Sequence, residues 1–547
     1  MRQVMVAVLL AASLVASPAA AAANIPAVFD GASADGLLVW FSTTEAIPGT
    51  PDTDTARDVY ERAADQSLRL ISTGGANLDA DFHRALGAGG SVWFSTTEAI
   101  PGTGDTDTAR DIYERTVGGA LRLTTTGGTN DDARFLNLAA DGRRLWFSTV
   151  EAIPGTGDFD QASDVYEWAA GSGISLVSRG GVAGEPATYT AASADGSRVW
   201  FRTVEAMPGT GDTDQALDVY ERSGGTVRLI STGGANVDAS IVRASADGTR
   251  VWFRTLEPLP GTGDADTALD VYERDAAGAL RLISAGTANT SAAFTGASAN
   301  GQIVWFATTE AIPGTGDTDS ALDLYERRAG AVRLITPGTL NVPAGFAAAA
   351  ADGSRVWFET VEPIPGTGDS DLVMDVYEMA GGAVRLASAG VAGLPAEFRA
   401  TDGRTVWFRT HEPIAGTGDT DTADDVYELR AGTTGLVSAG AANLDAKYLA
   451  RSANGRTVWF RTDEAIPGTG DTDLSTDVYE RSAGSPARLI STGQSPAAGG
   501  AYFLGASADA SRVRFMTTEA IPGTGDTDTA MDVYERRPDG THRLIST

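Results

Sequence analysis

Four short runs of apolar and polar residues recur along the chain, and the whole set repeats every 50 to 55 residues. In one copy they are Tyr189-Thr-Ala-Ala-Ser193, Arg198-Val-Trp-Phe-Arg-Thr203, Asp218-Val-Tyr-Glu-Arg222 and Val227-Arg-Leu-Ile-Ser231. Their β-branched and aromatic content predicts strands. An Asp-Gly pair, Asp195-Gly196, supplies a tight turn between the first and second. The second run is partly apolar on both faces, which suits a strand buried between two neighbouring sheets. Its Val-Trp-Phe core sets the phase, with Trp40, Trp93, Trp146, Trp200, Trp252, Trp305, Trp357, Trp407 and Trp459 at the centre. The tenth copy has Val513-Arg514-Phe515, which puts Arg514 at an exposed position or at a closure seam. Four short strands per period predict an all-β protein, a β-propeller of ten four-stranded blades of about 52 residues each. A calcium-binding β-helix would repeat about every nine residues and a helical solenoid would show a 3.6-residue period; neither is present. No linker separates any two copies, so a single ring is favoured over two five-bladed rings or an open arrangement. Each copy is complete in phase, so closure requires no strand shared between the ends.

Residues 1–23 read as a secretory signal peptide, and residues 24–547 as the ten-repeat propeller. Arg2 precedes an apolar run from Val4 to Ala16, and small residues at Ser17-Pro-Ala-Ala-Ala-Ala-Ala23 suit a signal peptidase. The run is short for a membrane span. The expected location is secreted, periplasmic or cell-surface, with no membrane span after cleavage.

Charge changes the picture most. The chain carries 72 acids against 41 bases, a net charge of −31. Forty of those acids belong to one motif, Glu-x6-Asp-x-Asp-x3-Asp, followed by an apolar residue, Tyr and Glu. The ten copies are Glu45, Asp52, Asp54 and Asp58; Glu98, Asp105, Asp107 and Asp111; Glu151, Asp158, Asp160 and Asp164; Glu205, Asp212, Asp214 and Asp218; Glu257, Asp264, Asp266 and Asp270; Glu310, Asp317, Asp319 and Asp323; Glu362, Asp369, Asp371 and Asp375; Glu412, Asp419, Asp421 and Asp425; Glu464, Asp471, Asp473 and Asp477; and Glu519, Asp526, Asp528 and Asp532. No copy loses one. Outside the motif, bases exceed acids by nine, so the acidity of the protein is the acidity of this loop.

The loop lies between the second and third strands. Within one hairpin, Glu98 at the end of one strand and Asp111 at the start of the next are expected to approach each other. Asp105 and Asp107 alternate and can both turn inward, and Pro101-Gly102-Thr103-Gly104 lets the backbone curl. Hard oxygen ligands without His or Cys point to calcium, ahead of magnesium or manganese. The spacing is not that of an EF-hand. Ten calcium ions would bring the formal charge to −11. The competing account makes the acids turn-formers through local hydrogen bonds, neutralised by fourth-strand arginines such as Arg69, Arg122, Arg228 and Arg281. Two copies carry Ser175 and Gly435 at that arginine's position yet keep all four acids, which weakens this account.

The sequence Ala194-Asp195-Gly196-Ser-Arg-Val-Trp-Phe, then Asp218-Val-Tyr-Glu, then Arg228-Leu-Ile-Ser resembles the TolB-type, WD-like propeller repeat of bacterial exported proteins. Ala stands here where that repeat has Pro before the Asp-Gly turn. The resemblance extends over all ten copies and implies the fold; the acidic insertion departs from the general pattern, so family roles do not explain it.

The chain has no cysteine and no Gly-x-Ser-x-Gly elbow, which removes disulfides, thiolate sites and two nucleophile classes. His83, His411 and His542 fall at different phases of the repeat and read as surface residues. Trp168, outside the phase, reads as a packing or surface aromatic. No basic stripe suggests nucleic acid. Ten near-identical acid sets argue for a repeated structural role rather than one catalytic site. The leading expectation is therefore a calcium-stabilised, exported scaffold that binds a protein or surface glycan through variable inter-blade loops, such as Gly74-Gly-Ala-Asn-Leu-Asp79 and Gly390-Val-Ala-Gly-Leu-Pro395. One alternative is a propeller-type enzyme acting on carbohydrate or peptide, marked by a cluster of unlike polar residues in the central channel drawn from several blades. Another is a periplasmic TolB-like envelope component, which would call for a further N-terminal domain.

Overall fold

Each Val-Trp-Phe run forms a strand because its two faces both find apolar partners. In the computed structural model, described here for residues 25–546 except 74, 88–89, 127–129, 179–183, 285–287, 389–392, 439–441 and 492–499, forty strands form ten four-stranded antiparallel sheets. The signal-peptide segment and parts of both quoted inter-blade loops lie outside the described residues. Blade 1 is β1 (Val28–Ala32), β2 (Leu38–Thr43), β3 (Asp58–Ala63) and β4 (Leu68–Leu70), paired in that order. The other nine blades repeat this meander. First strands of successive blades approach one another around the ring, which places them innermost.

Alternation along the second strand explains the packing. Val39 and Phe41 point to one side of their sheet and Trp40 to the other. Trp40 joins Val92, Phe94 and Tyr113 of blade 2, and the pattern recurs until Trp459 joins Val513, Phe515 and Tyr534 of blade 10. The described hydrophobic clusters are thus ten inter-blade interfaces. The indole edge also sets the turn residue of the next blade: a Cβ on Gly196 would sit 3.0 Å from the Trp146 ring, and this glycine has φ +68°. The Trp indoles of blades 1, 3, 4, 5, 6 and 9 donate to the Glu of the Tyr-Glu pair, as Trp40 Nε1 does to Glu61 at 2.9 Å. The fourth-strand arginines pair with these same glutamates, Arg69 to Glu61 at 2.9 Å and Arg228 to Glu221 at 3.1 Å. They do not neutralise the motif acids. Trp168 is a packing residue, buried and covered by Arg122 of the preceding blade at 4.6 Å.

The ring closes without a shared strand. Val533 and Ile545 of blade 10 pack with Val39, Phe41 and Tyr60 of blade 1, and Ala508 N–H donates to Ala34 O at 2.7 Å. Arg514 lies at this seam but is only 1% exposed, so the exposed alternative is excluded. It fills the indole's place and donates to Gly36 O at 2.9 Å. Buried Glu535 is within 2.7 Å of Arg512, 3.1 Å of Arg514 and 3.1 Å of Arg543. The tenth interface is therefore held by a buried charge cluster where nine others use tryptophan.

Candidate metal centre

Blade 2 shows how the acidic loop is built. Ile100, buried, anchors its start, and Thr103 donates from Oγ1 to Ile100 O at 2.7 Å, closing a turn. Asp105 Oδ1 then accepts from Asp107 N–H at 3.1 Å, and Asp107 Oδ1 from Ala109 N–H at 2.8 Å. Asp111 opens the third strand opposite Thr96, and its Oδ1 accepts from Thr125 Oγ1 at 2.5 Å. So one oxygen of each aspartate is held by a local donor, as the turn-former account expects.

The second oxygens differ in their surroundings. Asp105 Oδ2 accepts from the Tyr113 hydroxyl, which also donates to Glu98 O at 2.9 Å. Asp107 Oδ2 and Asp111 Oδ2 are buried with no hydrogen-bond donor. Asp111 is 2% exposed. In blades 1 to 5 the three aspartates each bring one oxygen to within 4.8 Å of the others, and five more such groups occur among the described residues. Calcium ligands at about 2.3–2.6 Å from the ion stand up to about 5 Å apart across it, so the spacing fits that cation. Turn formation accounts for the first oxygens and Tyr113 for Asp105 Oδ2, which leaves Asp107 Oδ2 and Asp111 Oδ2 without a donor.

The fourth acid comes from the next blade. Asp111 is pushed up to about 7 by burial, opposed by the Thr125 hydrogen bond and reinforced by Asp105, Asp107 and Glu151. Asp58 likewise feels Glu98, Asp218 feels Glu257, and Asp532 feels Glu45 across the seam. The expected pairing of Glu98 with Asp111 inside one hairpin is therefore corrected. Glu98 reaches back to blade 1, where it accepts from Thr73 at 3.3 Å. In blade 5, Glu257 accepts from Gly234 and Ala235 N–H at 2.5 and 2.7 Å, both in the connection from blade 4. All ten acid sets are thus split three to one across a blade interface.

Tyr113 joins this cluster although the motif analysis did not single it out; its fixed spacing of eight residues from Asp105 was the available signal. Burial and the Asp105 carboxylate push its hydroxyl well above the usual range. Tyr220→Phe, removing the same donor from Asp212 and Glu205 O, is expected to cost about 1–2 kcal/mol in urea denaturation of the metal-free protein.

Against this regular frame, the first strands vary. The position opposite the residue after Phe in the second strand is Val28, Asp81, Arg134, Thr188, Ser240, Ala293, Gly345, Glu397, Lys447 and Tyr502, ten different residues in ten blades. Unlike polar groups gather there. Asp81 bridges Arg57 of blade 1, at 2.5 Å, and Arg110 of its own blade. Glu397 pairs with Arg399 and Arg409, and Arg409 with Asp424 at 2.6 Å. His411 is exposed as expected. His83 and His542 are half-buried: His83 stacks on Phe135 at 4.6 Å with its pKa pushed down to about 4 by burial, and His542 donates from Nε2 to Ile490 O at 2.7 Å.

No protein-family model matches the chain, and no curated protein sequence matches it. Among solved structures, the chain is similar to Porphyromonas gingivalis dipeptidyl peptidase 4, at 13% identity and TM-score 0.40 over 76% of this chain and 59% of that one. A prolyl endopeptidase is similar at 12% identity and TM-score 0.31, over 71% of this chain and 54% of that one. The matches thus span little more than half of either peptidase. TolB from Acinetobacter baumannii is similar at 14% identity and TM-score 0.23, over 62% of this chain and 78% of that one. Likeness at these values assigns neither activity nor partner to this chain. No helix among the described residues is long and apolar enough to cross a membrane.

Proposed function

We propose that this protein is an exported ring whose blades are clamped pairwise by calcium, and that the stiffened ring is a binding scaffold for a protein or glycan partner. The observation that carries the metal is the gathering of three aspartates with one oxygen each within 4.8 Å of the others, and in blade 2 Asp107 Oδ2 and Asp111 Oδ2 are buried and without a donor. A buried carboxylate oxygen left without a partner costs several times an ordinary hydrogen bond's net worth unless a cation or proton meets it. Three aspartates from one blade and a glutamate from the next would provide a hard, oxygen-only donor set, completed by loop carbonyls or water. Magnesium, which demands a tight octahedron, fits a loop-built site less well.

The scaffold reading is supported by the division of the molecule. Forty acids are kept for the frame, while the innermost strands differ in every blade. The unlike charges at Glu397, Arg399, Arg409 and Asp424 all belong to blade 8 and are engaged with one another in ion pairs, so they are not the multi-blade cluster that would mark a channel enzyme. That favours a recognition wall.

Metal content by mass spectrometry on the purified protein tests the clamp, with up to ten calcium ions per chain expected. The cross-blade assignment has its own test. Glu257→Gln, which keeps an acceptor for Gly234 and Ala235, is expected to remove one ion and lower the melting temperature by about 2–3 °C. In double-mutant cycles its effect should couple to Asp218→Asn of the preceding blade and not to Asp270→Asn of its own. Coupling to Asp270 alone would return the site to a single hairpin.

A further inference from the structure

The chain contains 41 basic residues, and only Lys447 among them is a lysine. It sits on the innermost strand of blade 9 and is exposed. Across from it in register is Arg461, and Tyr502 of blade 10 stands over the Arg461 guanidinium, 6.0 Å from guanidinium carbon to ring centre. These three residues line a cavity of about 600 Å³ between blades 9 and 10, together with Asn443, Asp445 and Asp463. Leu444 is its sole aliphatic lining residue.

The charges in this cavity are unevenly satisfied. Asp445 accepts from Asp424 N–H at 3.0 Å, and Asp463 accepts from the Thr476 hydroxyl. Among the described residues neither Lys447 nor Arg461 has an ion-pair partner. The equivalent cation one blade earlier, Arg409, is fully committed to Glu397 and Asp424. So the wall spends its acids on its own donors and leaves two cations for something else. Tyr502 beside them is 43% exposed.

We infer that this cavity binds a sugar carrying one carboxylate, a uronic-acid residue of a glycan. Lys447 and Arg461 together would hold the carboxylate through charge-assisted hydrogen bonds. Tyr502 supplies a flat apolar surface for the C–H face of the ring. Asn443, and the free oxygens of Asp445 and Asp463, are placed for hydroxyl groups. The two aspartates oppose a doubly charged phosphate, and the nearly all-polar lining offers no seat for an apolar peptide side chain. The size suits one or two sugar units. This inference rests on the scaffold reading of the ring, and not on its metal.

The lone lysine gives a direct footprint. An amine-reactive acetylating reagent can modify only Lys447 and the chain's N-terminal amine, and peptide mass spectrometry reads each separately. Digalacturonate is the probe and neutral galactobiose the control, both with calcium saturating and with EDTA below the melting transition. Digalacturonate is expected to slow Lys447 acetylation at least fivefold in both conditions, with the N-terminus unaffected and galactobiose without effect. Calorimetric affinity for digalacturonate should fall about tenfold or more in Arg461→Met and in Tyr502→Ala. Both substitutions lie at the cavity surface, and circular dichroism checks that the ring persists. Equal protection by galactobiose, no protection by digalacturonate, or unchanged affinity in both variants would overturn the proposal. Protection that needs calcium would place the sugar on the acidic rim and overturn it too. Any of these results leaves the calcium-dependent melting untouched, so the scaffold's clamp and its ligand fail or stand separately.

Discussion

Chelating calcium from the purified protein at pH 8 is expected to lower its melting temperature by about 20 °C. Each site held at a hundred times its dissociation constant contributes about 2.7 kcal/mol to the folded state. A chain of this size unfolds with an entropy of about 1 kcal/mol per kelvin, so ten sites shift the transition by that order. The pH dependence separates this from general salt screening. Asp58, Asp111, Asp164, Asp218, Asp270, Asp323, Asp375, Asp425 and Asp477 are all pushed up to about 7, first by burial and then by neighbouring acids. In the unfolded chain such groups titrate near 3.9. The folded state therefore holds these protons more tightly, and the stability they confer is complete below about pH 4 and lost as pH rises through 7. Metal-free protein should melt lower at pH 8 than at pH 5. Calcium requires the ionised carboxylates, so in saturating calcium the melting temperature should rise over the same window. Scanning calorimetry at both pH values, with EDTA and with calcium, reads both slopes. Parallel slopes and no bound metal would leave the acids as turn-formers alone.

The seam should be the most sensitive single point in the ring. Glu535→Gln leaves Arg512, Arg514 and Arg543 gathered in a buried site without their one counter-charge. Removing one partner of a buried ion cluster costs about 3–5 kcal/mol. The loss should be local: hydrogen exchange is expected to quicken first in Val28–Ala32 and His542–Leu544, the strands flanking the seam. Arg514→Trp, which restores the residue found in the other nine copies, is expected to be neutral or stabilising, because apolar replacement of a buried ion removes its desolvation cost. The Gly36 turn already meets the side chain at this position as Gly196 meets Trp146. A Glu535→Gln protein that melts like the parent would show that the arginines are hydrated and the seam is no weaker than its neighbours.

Much of this molecule was legible in the linear chain. Strands of one blade follow one another directly, so their pairing is a local matter of turn residues and alternation, and the Asp-Gly and Val-Trp-Phe spacing settled blade order and number. The identity of the candidate ligands was legible too, since ten repetitions of the same acids stand out against any drift. What alternation left open is which neighbour each face meets. Phe94 and Glu98 both meet blade 1, a choice made only by the stacking of the sheets, and each acid set thereby draws on two blades. The same stacking buries Arg514 and brings Arg461 against Tyr502 of the next blade. Those contacts join residues from 25 to 478 positions apart, and no local spacing encodes them.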